Sequence, residues 1–148
     1  MEIVFTLNSL AVEQRLARII NGYLSFEVPL RSVRDYKTRE IDRQFETEGS
    51  NIGSRWKPLA ASTVMNRLAL GYGAGPILNR TGSLKRSIHL NKLTRNEVSL
   101  KSDSQYFAFH QVGGPKIPQR QMLGFSEKMQ DDIVNIVQKY ITNLVNNG

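Results

Sequence analysis

Seven apolar residues near the end of the chain, Met129, Ile133, Ile136, Val137, Tyr140, Ile141 and Leu144, recur at helical spacing. They line one face of a helix for about four turns. Such a face cannot remain in water, so the rest of the chain must supply a surface to cover it. Ser126 stands where a cap belongs, and Glu127, Asp131 and Asp132 lie near the helix's positive end, where acids are favoured. No cysteine is present, so neither disulfides nor sulfur-ligated zinc can replace burial as the source of stability. At 148 residues and 40% hydrophobic composition, the chain is expected to form one domain over residues 1–148.

Upstream, the pattern changes several times. Ile3, Phe5 and Leu7 alternate with Glu2, Val4 and Thr6, which predicts a strand. Asn8 or Ser9 would then cap a helix carrying Leu16, Ile19, Ile20, Tyr23 and Leu24. Pro29 suits the first turn of a second helix reaching about Glu48, with Leu30, Val33, Ile41 and Phe45 inward. Arg34, Lys37, Arg39, Glu40, Asp42 and Arg43 make up its expected exposed face, and the two helices are expected to pair as an antiparallel hairpin. Gly49 is a plausible stop.

A third helix is expected from about Ala60 to Leu70, then an irregular connector over Gly71–Pro76 and a short helix capped by Thr81. Ile88 and Leu90, then Val98 and Leu100, alternate with polar residues around a Thr94-Arg95-Asn96 turn, which predicts a β-hairpin. Gly113 to Pro118 reads as an exposed loop. Helices and strands segregate without a βαβ rhythm. The expected class is therefore α+β, a small antiparallel sheet packed against several helices with a long amphipathic C-terminal helix.

Charge is concentrated in the middle. Residues 51–125 carry eleven Lys and Arg against Glu97 and Asp103, while both flanks are close to neutral; the whole chain is +7. An acidic partner surface, protein or nucleic acid, would fit such a centre. Chemistry is sparse by contrast. The two histidines, His89 and His110, have no metal-ligand spacing, and no G-x-S-x-G elbow occurs. Gly71–Gly75 follows a helical pattern and lacks a following GK[ST], so it does not read as a phosphate cradle. No apolar run nears the roughly 20 residues needed to cross a bilayer, and no secretory signal is evident at the start. A protein made in a cytoplasm, with no membrane contact, no cofactor, no metal and no catalysis, is expected.

Several short motifs follow one another in the basic centre. Trp56-Lys57-Pro58-Leu59 precedes Thr63; Ile77-Leu78 leads through Thr81-Gly82 to Leu84; Tyr106 to Gly113 contains His110-Gln111; Pro118 and Arg120 precede Leu123-Gly124. Their order over about residues 41–146 resembles the phage virion morphogenesis family, tail-completion or tail-terminator proteins similar to one found in phage Mu. Phe107 splits the family's Tyr-Ala pair, Met122 stands where an aromatic is usual, and Ala60 replaces a capping serine. The resemblance implies a structural protein of the tail or neck. It would finish the tail and join it to the head as a homo-oligomeric ring, a hexamer, on the tail tube. Its implied partners are other copies of itself, the tail tube and the neck or connector proteins, with passing contact to DNA.

The residues themselves carry a separate reading. Trp56 beside Pro58 and Leu59 is an apolar anchor for the chain's own core or for a neighbour's pocket, the former preferred. Thr81-Gly82 reads as a cap with close packing, and His110-Gln111 as a pair that satisfies local backbone groups. Arg120, on a proline-fixed loop, is expected to fork onto a carboxylate of another subunit. Reversing it to Glu would then stop assembly and leave the monomer folded. A ring could pair the basic centre of one copy with acids of the first helices of the next. The alternative is a nucleic-acid-binding module using residues 51–125, with Trp56, Tyr72 and Tyr106 stacking bases. A small lysis or DNA-processing enzyme is the weakest reading.

Overall fold

A computed structural model describes residues 1–6 and 26–147. Its elements run β1 (Glu2–Thr6), α1 (Glu27–Glu46), α2 (Ala61–Ala69), α3 (Ser83–Arg86), β2 (Ile88–Leu93), β3 (Glu97–Ser102), α4 (Phe107–Val112) and α5 (Glu127–Asn147). The fold is α+β. The three strands form an antiparallel sheet in the order β1-β3-β2, and the hairpin ladder slips by one residue between Leu90 and Lys92. The expected helix over Leu16–Leu24, and its hairpin with the next helix, lie outside the described residues.

Central β3 is the best-buried strand, with Val98, Ser99 and Leu100 all enclosed, whereas β2 at the edge leaves Leu90 exposed. Pairing on both sides explains the difference. α1 and α5 pack together beside the sheet, joined by the Tyr36 hydroxyl, which donates to Asp132 Oδ2 at 2.7 Å. Met129 and Val137 of α5 are buried, and Ile133, Ile136 and Ile141 are partly so. The Ser126 Oγ accepts from the Met129 N–H at 3.2 Å, so the expected cap is formed.

α1 begins two residues before Pro29 and ends at Glu46, with Gly49 in the left-handed region just beyond. Leu30, Val33, Ile41 and Phe45 are buried as the spacing requires. Lys37 and Glu40, expected on the exposed face, are buried as well, at 1% and 5% exposure. The reason is geometric: positions 30, 33, 37, 41 and 44 form one helical stripe, and Lys37 stands in its middle. α3 corrects another expectation. Its cap is Gly82, in the left-handed region, with Thr81 one residue earlier.

The core also contains a segment with no regular structure. Residues 119–124 run as an irregular strap, with Met122, Leu123 and Gly124 buried. Buried backbone polar groups need partners, and side chains from three directions supply them. Gln121 O accepts from Gln44 Nε2 at 2.7 Å and Trp56 Nε1 at 3.1 Å. Gln111 Oε1 accepts from the N–H groups of Met122 and Leu123 at 2.8 and 3.0 Å, while its Nε2 donates to Leu123 O at 2.6 Å. Gly124 O accepts from Lys37 Nζ, whose ammonium also lies 4.4 Å from the centre of the Phe125 ring.

Burial disfavours the charged form of Lys37 and lowers its pKa from 10.5 to about 8, against a smaller opposing pull from Glu40. The unfolded chain therefore holds this proton to higher pH than the folded one. The cost of burying the charge is full below pH 8 and fades as pH climbs toward 10.5. Above pH 10 Tyr36 contributes the opposite slope, because burial first and the Asp132 bond second raise its phenol pKa. Denaturant unfolding should show stability rising by about 2 kcal/mol between pH 8 and 10, and Lys37→Met should flatten that rise.

Candidate functional site

The loop after α1 turns back at Trp56, which is buried against Phe45 with ring centroids 5.6 Å apart in an edge-to-face arrangement. This is the chain's own core, the preferred of its two expected destinations. From that anchor Pro58 and Leu59 run out to the start of α2, and one wall of a groove of about 590 Å³ begins there. Thr63 and Arg67, four residues apart on α2, continue that wall. Leu78, Thr81, Gly82 and Leu84 add the segment around α3. His110 of α4, with Pro118 and Arg120 before the strap, completes the lining.

Ten of the fifteen motif residues thus meet on one surface, although they come from four separate stretches of sequence. The other five, Trp56, Gln111, Gly113, Leu123 and Gly124, do not line it. They belong to the strap or hold it in place. Gly113, at φ 78°, lets the chain leave α4 sharply, and a Cβ there would come within 2.8 Å of the Gln119 nitrogen. Gly82 is constrained by its φ of 76°, whereas the Arg86 guanidinium that a Cβ would meet is the movable end of a side chain. Leu78 adopts φ 57° without being glycine, a conformation costing on the order of 1 kcal/mol.

Arg120 departs from expectation. Its guanidinium forks within its own chain, with Nε and Nη2 donating to Lys57 O at 3.1 and 3.0 Å and Nη2 also to Pro58 O at 3.1 Å. Only 6% of the residue is exposed, so a reversal to Glu would set a carboxylate against two carbonyls and disturb the monomer itself. Burial lowers its pKa. The neighbouring His110 is also pushed down, by burial first and by the Arg120 charge second, which favours a neutral imidazole.

The electrostatics of the groove are one-sided. Lys57, Arg67, Arg80, Lys116 and Arg120 line it, and among the described residues no Asp or Glu does. Elsewhere in the basic centre several cations are paired with acids, as in Arg55–Glu48, Lys85–Asp42 and Lys92–Glu97. Lys57 and Arg80 lie within the motif stretches without a role of their own there, and Arg67 and Lys116 lie outside them. The available signal was position: Arg67 falls four residues after Thr63 on a helix, and Lys57 and Arg80 adjoin motif residues. Among the described residues no cluster of three or more His, Asp and Glu could hold a metal ion, and no helix is long and apolar enough to cross a membrane.

The strap's side-chain clamp makes a direct prediction. Gln111→Ala leaves two N–H groups and one carbonyl buried without these partners, and should lower the unfolding free energy by roughly 3 kcal/mol or more. Urea denaturation of the variant against the parent measures it; Arg120→Glu should likewise melt at a lower temperature than the parent.

Neither the curated proteins nor the solved structures contain a significant match to this chain. A family model does match, described as the phage virion morphogenesis family, over residues 7–142 of the 148. That span takes in the strap, its clamp and every segment of the groove. The chain belongs to the phage virion morphogenesis family, and its role is structural, in the assembly of the virion.

Proposed function

We propose that this protein completes the phage tail and joins it to the head, working as a ring of identical copies, a hexamer, on the tail tube. The observation that carries the reading is the convergence of motif segments, far apart in sequence, on one groove whose charged residues, among those described, are all cationic. A surface assembled in that way is suited to gripping another macromolecule. Its lining mixes cations with apolar side chains, a combination suited to recognition.

A closed ring needs two different patches on each protomer. The groove can supply one of them. Four of the five acids of α1 are weaker candidates for the other, since Glu27, Asp35, Glu40 and Asp42 are each ion-paired within the chain, whereas Glu46 is exposed. Glu127 and Asp131 at the start of α5 are exposed and form no ion pair among the described residues. They are the better complement. Further contacts would be to tail-tube and neck or connector subunits, which would place the protein in the tail or neck.

The nucleic-acid alternative relies on exposed rings as well as cations. Tyr72 and Tyr106 are exposed, but Trp56 is enclosed in the core and cannot stack on a base. Passing contact with DNA at the basic surface is compatible with tail completion; sequence-independent DNA binding as the main activity has less to draw on.

Disrupting the gene in its phage and imaging the lysate by electron microscopy tests the proposal. Filled heads and separate tails of irregular length are expected, with normal particles restored when the protein is supplied in trans. Infectious particles of normal tail length in its absence would refute it.

A further inference from the structure

Arg67 is one of the residues that line the groove, and only 5% of it is exposed. One nitrogen, Nη1, donates to Pro76 O at 3.0 Å. Nε and Nη2 are equally shielded from water and have no hydrogen-bond partner. Those two groups form the side-on edge of a guanidinium, the fork that matches the two oxygens of a carboxylate. Burying them unmatched is costly. A second polar atom in the lining, His110 Nδ1, is buried without a partner too.

We propose that the groove is a receptor for an extended acidic segment of another protein subunit, whose carboxylate seats on the Nε and Nη2 edge of Arg67. The walls favour a peptide over a phosphate backbone. Leu59, Leu78, Leu84 and Ile117 share the lining with the cations, which suits a carboxylate flanked by aliphatic side chains. The volume, about 590 Å³, falls within the range of sites that enclose a few side chains. Lys57, Arg80 and Lys116 supply long-range attraction and add specificity against neutral segments. The choice of a protein subunit as occupant rests on the assembly role proposed above, whereas the chemistry of the fork does not.

Nitrogen-15 NMR of the full chain tests this through the Arg67 Nε–H resonance and the groove amides. The probes are capped Leu-Glu-Leu, capped Leu-Gln-Leu and an eight-residue oligothymidylate. Saturable shifts with the Glu peptide are expected near a Kd of ~1 mM, with the Gln peptide at least about tenfold weaker. Arg67→Met should keep a melting temperature near that of the parent and lose the response. Arg67→Lys, which retains charge without a fork, should bind at least about tenfold more weakly and serves if the Met variant fails to fold. Equal responses to the Glu and Gln peptides, no movement of Arg67, or tighter oligothymidylate binding at the same resonances would overturn the assignment. The outcome is separable from tail completion: phage that assemble without the protein leave a positive titration standing, and a failed titration leaves the assembly defect standing.

Discussion

The structure depends on satisfying the backbone of one buried segment that belongs to no helix or strand. Residues 119–124 pass through the core, and their N–H and C=O groups would be left without partners if surrounding side chains did not reach them. Gln44 and Lys37 reach from α1, Trp56 from the following loop and Gln111 from α4. Three elements that share few direct contacts are thereby tied to one strap. Arg120 extends the connection outward, holding the Lys57 and Pro58 carbonyls from which a groove wall starts. Core integrity and groove shape therefore rest on the same set of bonds.

Three buried cations occupy different positions in this scheme. Lys37 and Arg120 each meet carbonyl oxygens, and both are held well inside the chain. Arg67 meets one carbonyl and keeps an unmatched edge. Lys37 and Arg120, which meet carbonyl oxygens, act as internal ties. The partly matched one belongs to the groove lining, and its unmatched edge is the feature on which the proposed recognition role rests.

Elements with a strong period were legible in the sequence. The inward positions Leu30, Val33, Ile41 and Phe45, the strands of the hairpin, and α5 with its Ser126 cap all follow from spacing and local chemistry. Lys37 was assigned to the surface because charge outweighed position, although the stripe ran through it. The strap was not foreseen because it has no period to detect; its burial depends on amides from distant elements. α4 is six residues long, too short for a clear periodic signal. The motif order identified the residues of the groove but not their meeting, which requires the turns at Leu78, Gly82 and Gly113 to bring four segments together. Phe107, a departure from the family pattern, proves to be a fully buried core residue, while Tyr106 faces outward.

The chemical character of the strap's ties has a consequence for tolerance of acid. Gln44 and Gln111 are amides, Trp56 is an indole, and the Arg120 and Lys37 donors gain nothing to lose when protons are plentiful. No carboxylate is required to stay ionised for the strap to remain in place. Acidification that loosens surface ion pairs such as Lys85–Asp42 would therefore leave these bonds in place, and would act on the joint instead through His110, whose charging is opposed by burial and by the Arg120 cation.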